Sequence, residues 1–206
     1  KTMDWSIRLV VLISVPSIIG LVLLSQPIIL TLFERGEFMS HDTFKSSLSL
    51  IALALGLMAF MLIKVLTPGF FARQNPKTPV KVALASMLLN VFLAWILAFY
   101  FGLNHVGLAI ASSISAYFTI IILLFILLKN KIYKLERGWV IFLSRIVASS
   151  LVMTSVVYFL NFDIVHWRGL DQIDRFINLF GILIFSAFSY FGSLWLLGLR
   201  LIHLKG

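Results

Sequence analysis

The chain contains no cysteine. That absence excludes disulfides, cysteine-ligated zinc and thiol nucleophiles, and it leaves the redox compartment unreadable. Acid is scarce as well, with 8 Asp and Glu against 17 Lys and Arg, and charged residues make up only 12% of the 206 positions. A soluble domain is nearer a quarter charged and half apolar, so there is too little polar surface to coat a water-soluble globule. The chain also lacks the opening of a secreted protein. It begins at Lys1, and no basic segment, short apolar stretch and cleavage site follow. A fragment or processed piece of a longer protein is the expectation.

What is abundant is apolar: 61% of residues, with a mean hydropathy of +1.05. A spanning helix needs about 20 mostly apolar residues. That template predicts six spans, at Trp5–Leu24 (with a possible extension to Phe33), Ser46–Phe71, Val80–Phe101, Val106–Leu128, Trp139–Leu160 and Phe176–Leu199. None alternates apolar and polar residues as a barrel strand does. The expected fold class is an all-α integral membrane protein with six transmembrane helices.

Six spans return both ends of the chain to one side. That side holds Lys1, Arg8, Arg73, Lys77, Lys81, Lys129, Lys131, Lys134, Arg137, Arg200 and Lys205, with only Asp4 and Glu136 as acids. The other side holds Arg35, Lys45, Arg168 and Arg175 against Glu34, Glu37, Asp42, Asp163, Asp171 and Asp174. Short loops rich in Lys and Arg stay in the cytoplasm, so both ends are expected to be cytoplasmic. Topology accounts for the net charge of +9, and no nucleic-acid partner is needed. Trp5, Trp139, Trp195 and Tyr133 lie near span ends, as interfacial aromatics do.

Several residues inside or beside the spans are candidates for function. Lys64 lies nine positions before Arg73, about 13 Å along a helix, and a charge at a span centre costs roughly 2.5–3.5 kcal/mol on insertion scales. Either Lys64 faces other helices or a wet cavity, or Pro68-Gly69 ends the helix early and leaves it at the headgroups. Pro68-Gly69 could equally be a hinge. Pro76 and Pro79 keep the second span from running into the third. Arg145 is placed to reach the interface as an anchor, with a functional site as the other reading. Asn90 is mid-span, where an interhelical hydrogen bond is the default and an ion ligand the alternative. Gly107, Ala111, Ser115 and Thr119 form a small-residue stripe for close helix packing, with a polar path along Ser112, Ser113 and Ser115 as the other reading. Pro16 and Pro27 bend or interrupt the first span, as packing kinks or as hinges.

Catalytic signatures are missing. The histidines His41, His105, His166 and His203 form no set, and neither H-E-x-x-H, a G-x-S-x-G elbow nor a glycine-rich phosphate loop occurs. Asp171 and Asp174 read as the acidic start of the last helix, favoured by its dipole. The expectation is no enzyme, no cofactor and no metal.

"LTLFERGEF", Leu30–Phe38, and "KVLTPGFFARQNPKTPVKVA", Lys64–Ala83, together resemble the MurJ/MviN family of lipid II flippases, relatives of multidrug exporters and polysaccharide flippases. The opening "MDWSIRLVVLISVPS", Met3–Ser17, is similar to the start of a helix of that family. The most specific match is Lys64, Pro68, Gly69, Phe70, Arg73, Gln74, Lys77, Thr78, Pro79 and Lys81. The resemblance implies a fourteen-helix fold of two six-helix lobes around a central cavity, followed by two extra helices. Residues 1–128 would supply family helices nine to twelve and residues 129–206 helices thirteen and fourteen.

The implied activity is translocation of the undecaprenyl-linked peptidoglycan precursor, lipid II, across the bacterial inner membrane by alternating access. The implied partners are lipid II, membrane lipids and the missing N-terminal lobe of the same protein. Lys64, Pro68, Gly69, Arg73, Lys77 and Lys81 become candidates for the cavity or its cytoplasmic gate, and the last two helices for a hydrophobic groove that takes the lipid tail. Some members are thought to bind sodium through an Asn-x-x-x-Asp pair on helix eleven. Here Asn90 is followed by Ala94, which makes Asn90 a weak ion-site candidate. The alternatives are a flippase or exporter of another polyprenyl-linked glycan or a drug, and a non-transporting membrane scaffold.

Overall fold

The computed structural model describes residues 2–130, 133, 136, 138–160 and 163–198, and all regular structure among them is helical. The elements are α1 (Thr2–Leu23), α2 (Ser25–Phe33), α3 (Ser40–Phe71), α4 (Lys77–Trp95) with a π-helical extension (Ile96–Tyr100), α5 (Asn104–Lys129), α6 (Trp139–Leu160), α7 (Ile164–Gly169) and α8 (Gln172–Leu196). Six helices are long and apolar enough to cross a membrane, at Met3–Leu23, Ser40–Phe71, Lys77–Tyr100, Asn104–Lys129, Trp139–Leu160 and Gln172–Leu196. These are the six expected spans. Lys1, Lys131, Lys134, Arg137, Arg200, His203, Lys205 and the expected span end at Leu199 lie outside the described residues.

Two boundaries that shape the packing differ from expectation. The first span does not run on as one helix to Phe33, because the chain bends at Leu24, where Pro27 has no N–H to offer the Leu23 carbonyl. The second begins at Ser40 rather than Ser46, with the Met39 N–H donating to Asp42 Oδ2 at 3.0 Å to close its first turn. It runs through Pro68 and Gly69 to its expected end at Phe71, so that pair does not end the helix early. At 32 residues α3 is about 48 Å long, against a hydrocarbon core of about 30 Å. Its polar first turns therefore project beyond the apolar slab, where they pack on α2.

Packing divides into two apolar cores that share α1. Val11 and Leu12 join Leu24, Leu30, Ile146, Met153, Trp167, Leu179 and Tyr190 in a core built with α2, α6, α7 and α8. Ile7 joins Leu66, Phe70, Val82, Leu123, Leu127 and Tyr133 in a second core with α3, α4 and α5. Apolar burial drives little association between helices inside lipid, so close approach and polar contacts matter more there. The small-residue stripe of α5 supplies that approach. Ala111, Ser115 and Thr119 are buried, and a Cβ on Gly107 would lie 2.7 Å from the Leu97 backbone. Ser113 donates to the Ala52 carbonyl at 2.6 Å, and Ser86 donates to the Ser115 carbonyl at 2.8 Å.

Candidate functional site: a basic bend and an apolar groove

The basic bend joins α3 to α4. Gln74 takes a left-handed conformation, with φ of 54°, and the Asn75 N–H turns back to the Phe70 carbonyl at 3.1 Å. The Asn75 side chain then accepts from the Thr78 N–H at 3.4 Å and the Thr78 hydroxyl at 3.1 Å, which covers open donors at the start of α4. Arg73, Lys77 and Lys81 are all exposed at this bend, and Lys77 and Lys81 stand one turn apart on α4. No described carboxylate forms an ion pair with any of them. The bend thus presents an unneutralised cationic edge.

Lys64 is exposed too, but it is not part of that edge. It sits on α3 itself, more than two turns from Arg73. Pro68 cannot donate to the Lys64 carbonyl, so the same position offers a cation and a backbone acceptor stripped of its helical donor. Gly69 has a packing role instead. A Cβ there would collide with Met3 Cε, so the glycine lets α1 approach α3. The structure brings Arg73, Lys77 and Lys81 together, and places Lys64, Pro68 and Gly69 along the helix leading to them.

Asn90 is half-buried and donates to Ser112 Oγ of α5 at 3.5 Å. With Ser86, Thr119 and Ile63 it lines a cavity of about 520 Å³ between α3, α4 and α5. The position four residues on is Ala94, which brings no side-chain oxygen. Arg145 reaches the end of α8, where its Nη1 donates to the Gly198 carbonyl at 3.3 Å. A cation is favourable at that helix terminus. Asp171 is the N-cap residue of α8 and Asp174 lies in its first turn.

An apolar groove of about 450 Å³ runs beside the last two spanning helices. Ile13, Pro16 and Gly20 of α1 form one wall, Met153 of α6 contributes to the floor, and Leu183 and Phe191 of α8 form the other wall. Few polar atoms reach it, and it opens to the protein surface.

A buried polar cluster went unnoticed in the sequence. Asp4 accepts from Arg8 Nε at 2.7 Å, the Tyr133 hydroxyl at 2.5 Å and Trp139 Nε1 at 3.0 Å. The Arg8 guanidinium lies 5.1 Å from the Trp139 ring centroid and 5.6 Å from that of Phe142, within cation–π range. Tyr133 and Trp139 are therefore partners of Asp4 rather than lipid-facing anchors, and Tyr133 is only 6% exposed. Burial, reinforced by the Asp4 carboxylate, pushes the Tyr133 phenol well above its ordinary range. An acid near the start of a span, on the basic side, was the available signal.

The sequence profile described as "Lipid II flippase MurJ" matches residues 1–169. The chain is 39% identical over 204 residues to a Vibrio cholerae protein named "Probable lipid II flippase MurJ", a match that takes in 99% of this chain and 38% of that protein. It is also 39% identical to the Haemophilus influenzae protein of the same name, over 99% of this chain and 39% of the other. Among solved structures, "Lipid II flippase MurJ, inward closed conformation" superposes with a TM-score of 0.69 at 27% identity, covering 93% of this chain and 39% of that one. The chain spans about two fifths of the length of the relatives it matches.

Proposed function

The chain belongs to the MurJ family of lipid II flippases, and we propose that it forms the C-terminal part of such a flippase. It is a multi-pass protein of the bacterial inner membrane. In this reading it moves the undecaprenyl-linked peptidoglycan precursor across that membrane by alternating access, as a transporter and not a catalyst. Residues 1–128 serve as helices nine to twelve of a fourteen-helix fold, and residues 129–206 as helices thirteen and fourteen. Both ends of the chain face the cytoplasm, because the exposed Arg73, Lys77 and Lys81 lie on that side under the positive-inside bias.

The observation that carries this reading is the apolar groove between α1, α6 and α8. A diphosphate-linked sugar headgroup cannot cross hydrocarbon unaided, since stripping water from its polar groups is too costly. The polyprenyl tail has no such barrier and can stay in an apolar slot open to lipid. Separate accommodation of tail and headgroup is what a flippase of this cargo requires. The cationic bend suits the other end of the cargo: Arg73, Lys77 and Lys81 can attract the diphosphate at the cytoplasmic entrance. Lys64 lies on the path from that entrance into the membrane. The first lobe, which this chain does not contain, completes the cavity.

The test is depletion and rescue in cells whose native flippase is shut off, with lipid II movement to the outer face as the readout. This chain is expressed alone and joined to its upstream half. Rescue by the joined form alone is expected. Failure of both forms despite proper insertion would redirect the assignment to another polyprenyl-linked glycan or a drug, and the same joined protein would then be assayed with those cargoes. Insertion and binding of cell-wall enzymes without transport of any cargo would establish a scaffold.

A further inference from the structure

The terminal helices α6 and α8 are joined to α1 and α2 by polar contacts at three depths. At the inner end, Asp4 of α1 receives Tyr133 from the α5–α6 connection and Trp139 from the first turn of α6. At mid-depth, the Tyr190 hydroxyl of α8 donates to the Leu12 carbonyl of α1 at 2.9 Å. At the outer end, Gln172 of α8 donates to the Thr31 carbonyl of α2 at 2.8 Å. There Arg168 of α7 also donates to Glu34 at 3.1 Å, and Glu34 takes a second bond from Thr43 of α3 at 2.5 Å. Each tie from Tyr133, Trp139, Arg168, Gln172 or Tyr190 links elements far apart in the chain, and each acceptor lies on the α1–α2 side or in the segment just after it.

The geometry points to a fixed slot: Asp4, Leu12, Thr31 and Glu34 act as positioning groups that hold α6–α8 to α1–α2 as one body, so that the groove keeps its width while the two lobes of the whole protein rock. The groove lies between α1 and α8 and so between the inner and outer ties. Opening the slot anywhere along its length would break at least one of these contacts, and within the bilayer no water replaces a lost hydrogen bond. The same body includes α3, because α1 contributes to both apolar cores. The slot is then a passive rail, and gating falls to other parts of the protein. What the slot holds rests on the flippase reading; its fixed width does not.

The experiment is pulsed EPR on the full-length parent protein in nanodiscs, with any cysteines in the rest of the chain replaced. One spin-label pair, Trp5→Cys with Ser144→Cys, reports the inner end; a second, Phe33→Cys with Ile173→Cys, reports the outer end. All four positions are exposed. A single narrow distance is expected for each pair, unchanged by saturating undecaprenyl diphosphate. Asp4→Leu is expected to broaden the inner distribution and leave the outer one intact. Tyr133→Phe combined with Trp139→Phe gives the same readout should Asp4→Leu fail to fold. Two distances in the parent, a ligand-dependent shift at either pair, or an inner distribution unmoved by loss of the Asp4 contacts would each overturn the proposal. None of these readouts depends on transport, so failure here and failure of the flippase assignment are separable.

Discussion

The Tyr190 hydroxyl donates to the Leu12 carbonyl at 2.9 Å, and that carbonyl is the one Pro16 leaves without a helical donor. Residue 16 of a regular helix would donate its N–H to residue 12, but proline has none. A side chain 178 positions away supplies the missing hydrogen bond.

Removing that donor has a defined consequence. Tyr190→Phe leaves a buried carbonyl unpaired, at a cost of about 1–3 kcal/mol. Pro16→Ala in the same background restores a backbone N–H opposite Leu12 and is expected to recover most of the loss. Thermal unfolding of the full-length protein in detergent checks both steps. If Pro16→Ala gives no recovery, the phenol stabilises through packing rather than through this bond.

Two glycines with crowded surroundings are expected to respond differently to the same change. A Cβ at Gly107 meets the backbone of Leu97 and Ala98 at 2.7–2.8 Å, and backbone cannot step aside. A Cβ at Gly69 meets the terminal methyl of Met3, which can swing to another rotamer. Gly107→Ala should cost about 1–3 kcal/mol, in the range of overpacked cores, and Gly69→Ala much less. Equal losses of thermal stability in the two variants would contradict this account.

Hydropathy located all six spans, because a bilayer imposes the same length and apolarity on any helix that crosses it. Local chemistry was legible too. Gly107, Ala111, Ser115 and Thr119 announced a packed face, and Asp171 and Asp174 the start of α8. What could not be read was which faces meet. Tyr133 and Trp139 passed for interfacial aromatics because nothing near them in sequence reveals Asp4, which lies 129 and 135 positions away. The Tyr190 contact was half visible, since Pro16 frees a carbonyl that needs a donor, but the donor's identity depends on how α8 packs. Pro68 left two readings open, a helix that stops there and one that runs on to Phe71. Proline favours a helix end, yet packing of Leu66 and Phe70 in the α3–α5 core carries the helix past it.

The Tyr133–Asp4 bond also sets an alkaline limit. Burial and the Asp4 carboxylate raise the Tyr133 phenol above its ordinary value of about 10. A group whose folded pKa is raised adds stability that is fully present below the unfolded pKa and is lost as pH climbs through the folded one. The stability advantage of the parent over Tyr133→Phe is thus expected to be constant up to about pH 10 and to shrink above it. The difference in tyrosinate absorbance between the two proteins should likewise emerge only above that pH. An advantage that stays constant above about pH 10 would mean that the phenol titrates alike in the folded and unfolded protein, which would contradict the raised value.

Lys64 is where the flippase reading meets the physics of a single side chain. It sits seven residues before the end of α3, about 10 Å along the axis, and it is exposed. If lipid lay against that face, a buried charge there would cost about 2.5–3.5 kcal/mol, and replacing it by Met would be neutral or stabilising. If the first lobe instead encloses a wet cavity on that side, the charge is hydrated and free to meet a diphosphate. The second case predicts that Lys64→Cys in the full-length protein reacts with a membrane-impermeant maleimide. It also predicts that Lys64→Arg supports growth, and that Lys64→Met and above all Lys64→Glu fail to complement a depleted strain at normal membrane levels. Loss with Lys64→Glu but not Lys64→Met would show that only a negative charge is excluded, as at an entrance. Normal growth with Lys64→Glu would remove Lys64 from the transport path and leave the cationic edge at Arg73, Lys77 and Lys81 as the headgroup contact in this part of the protein.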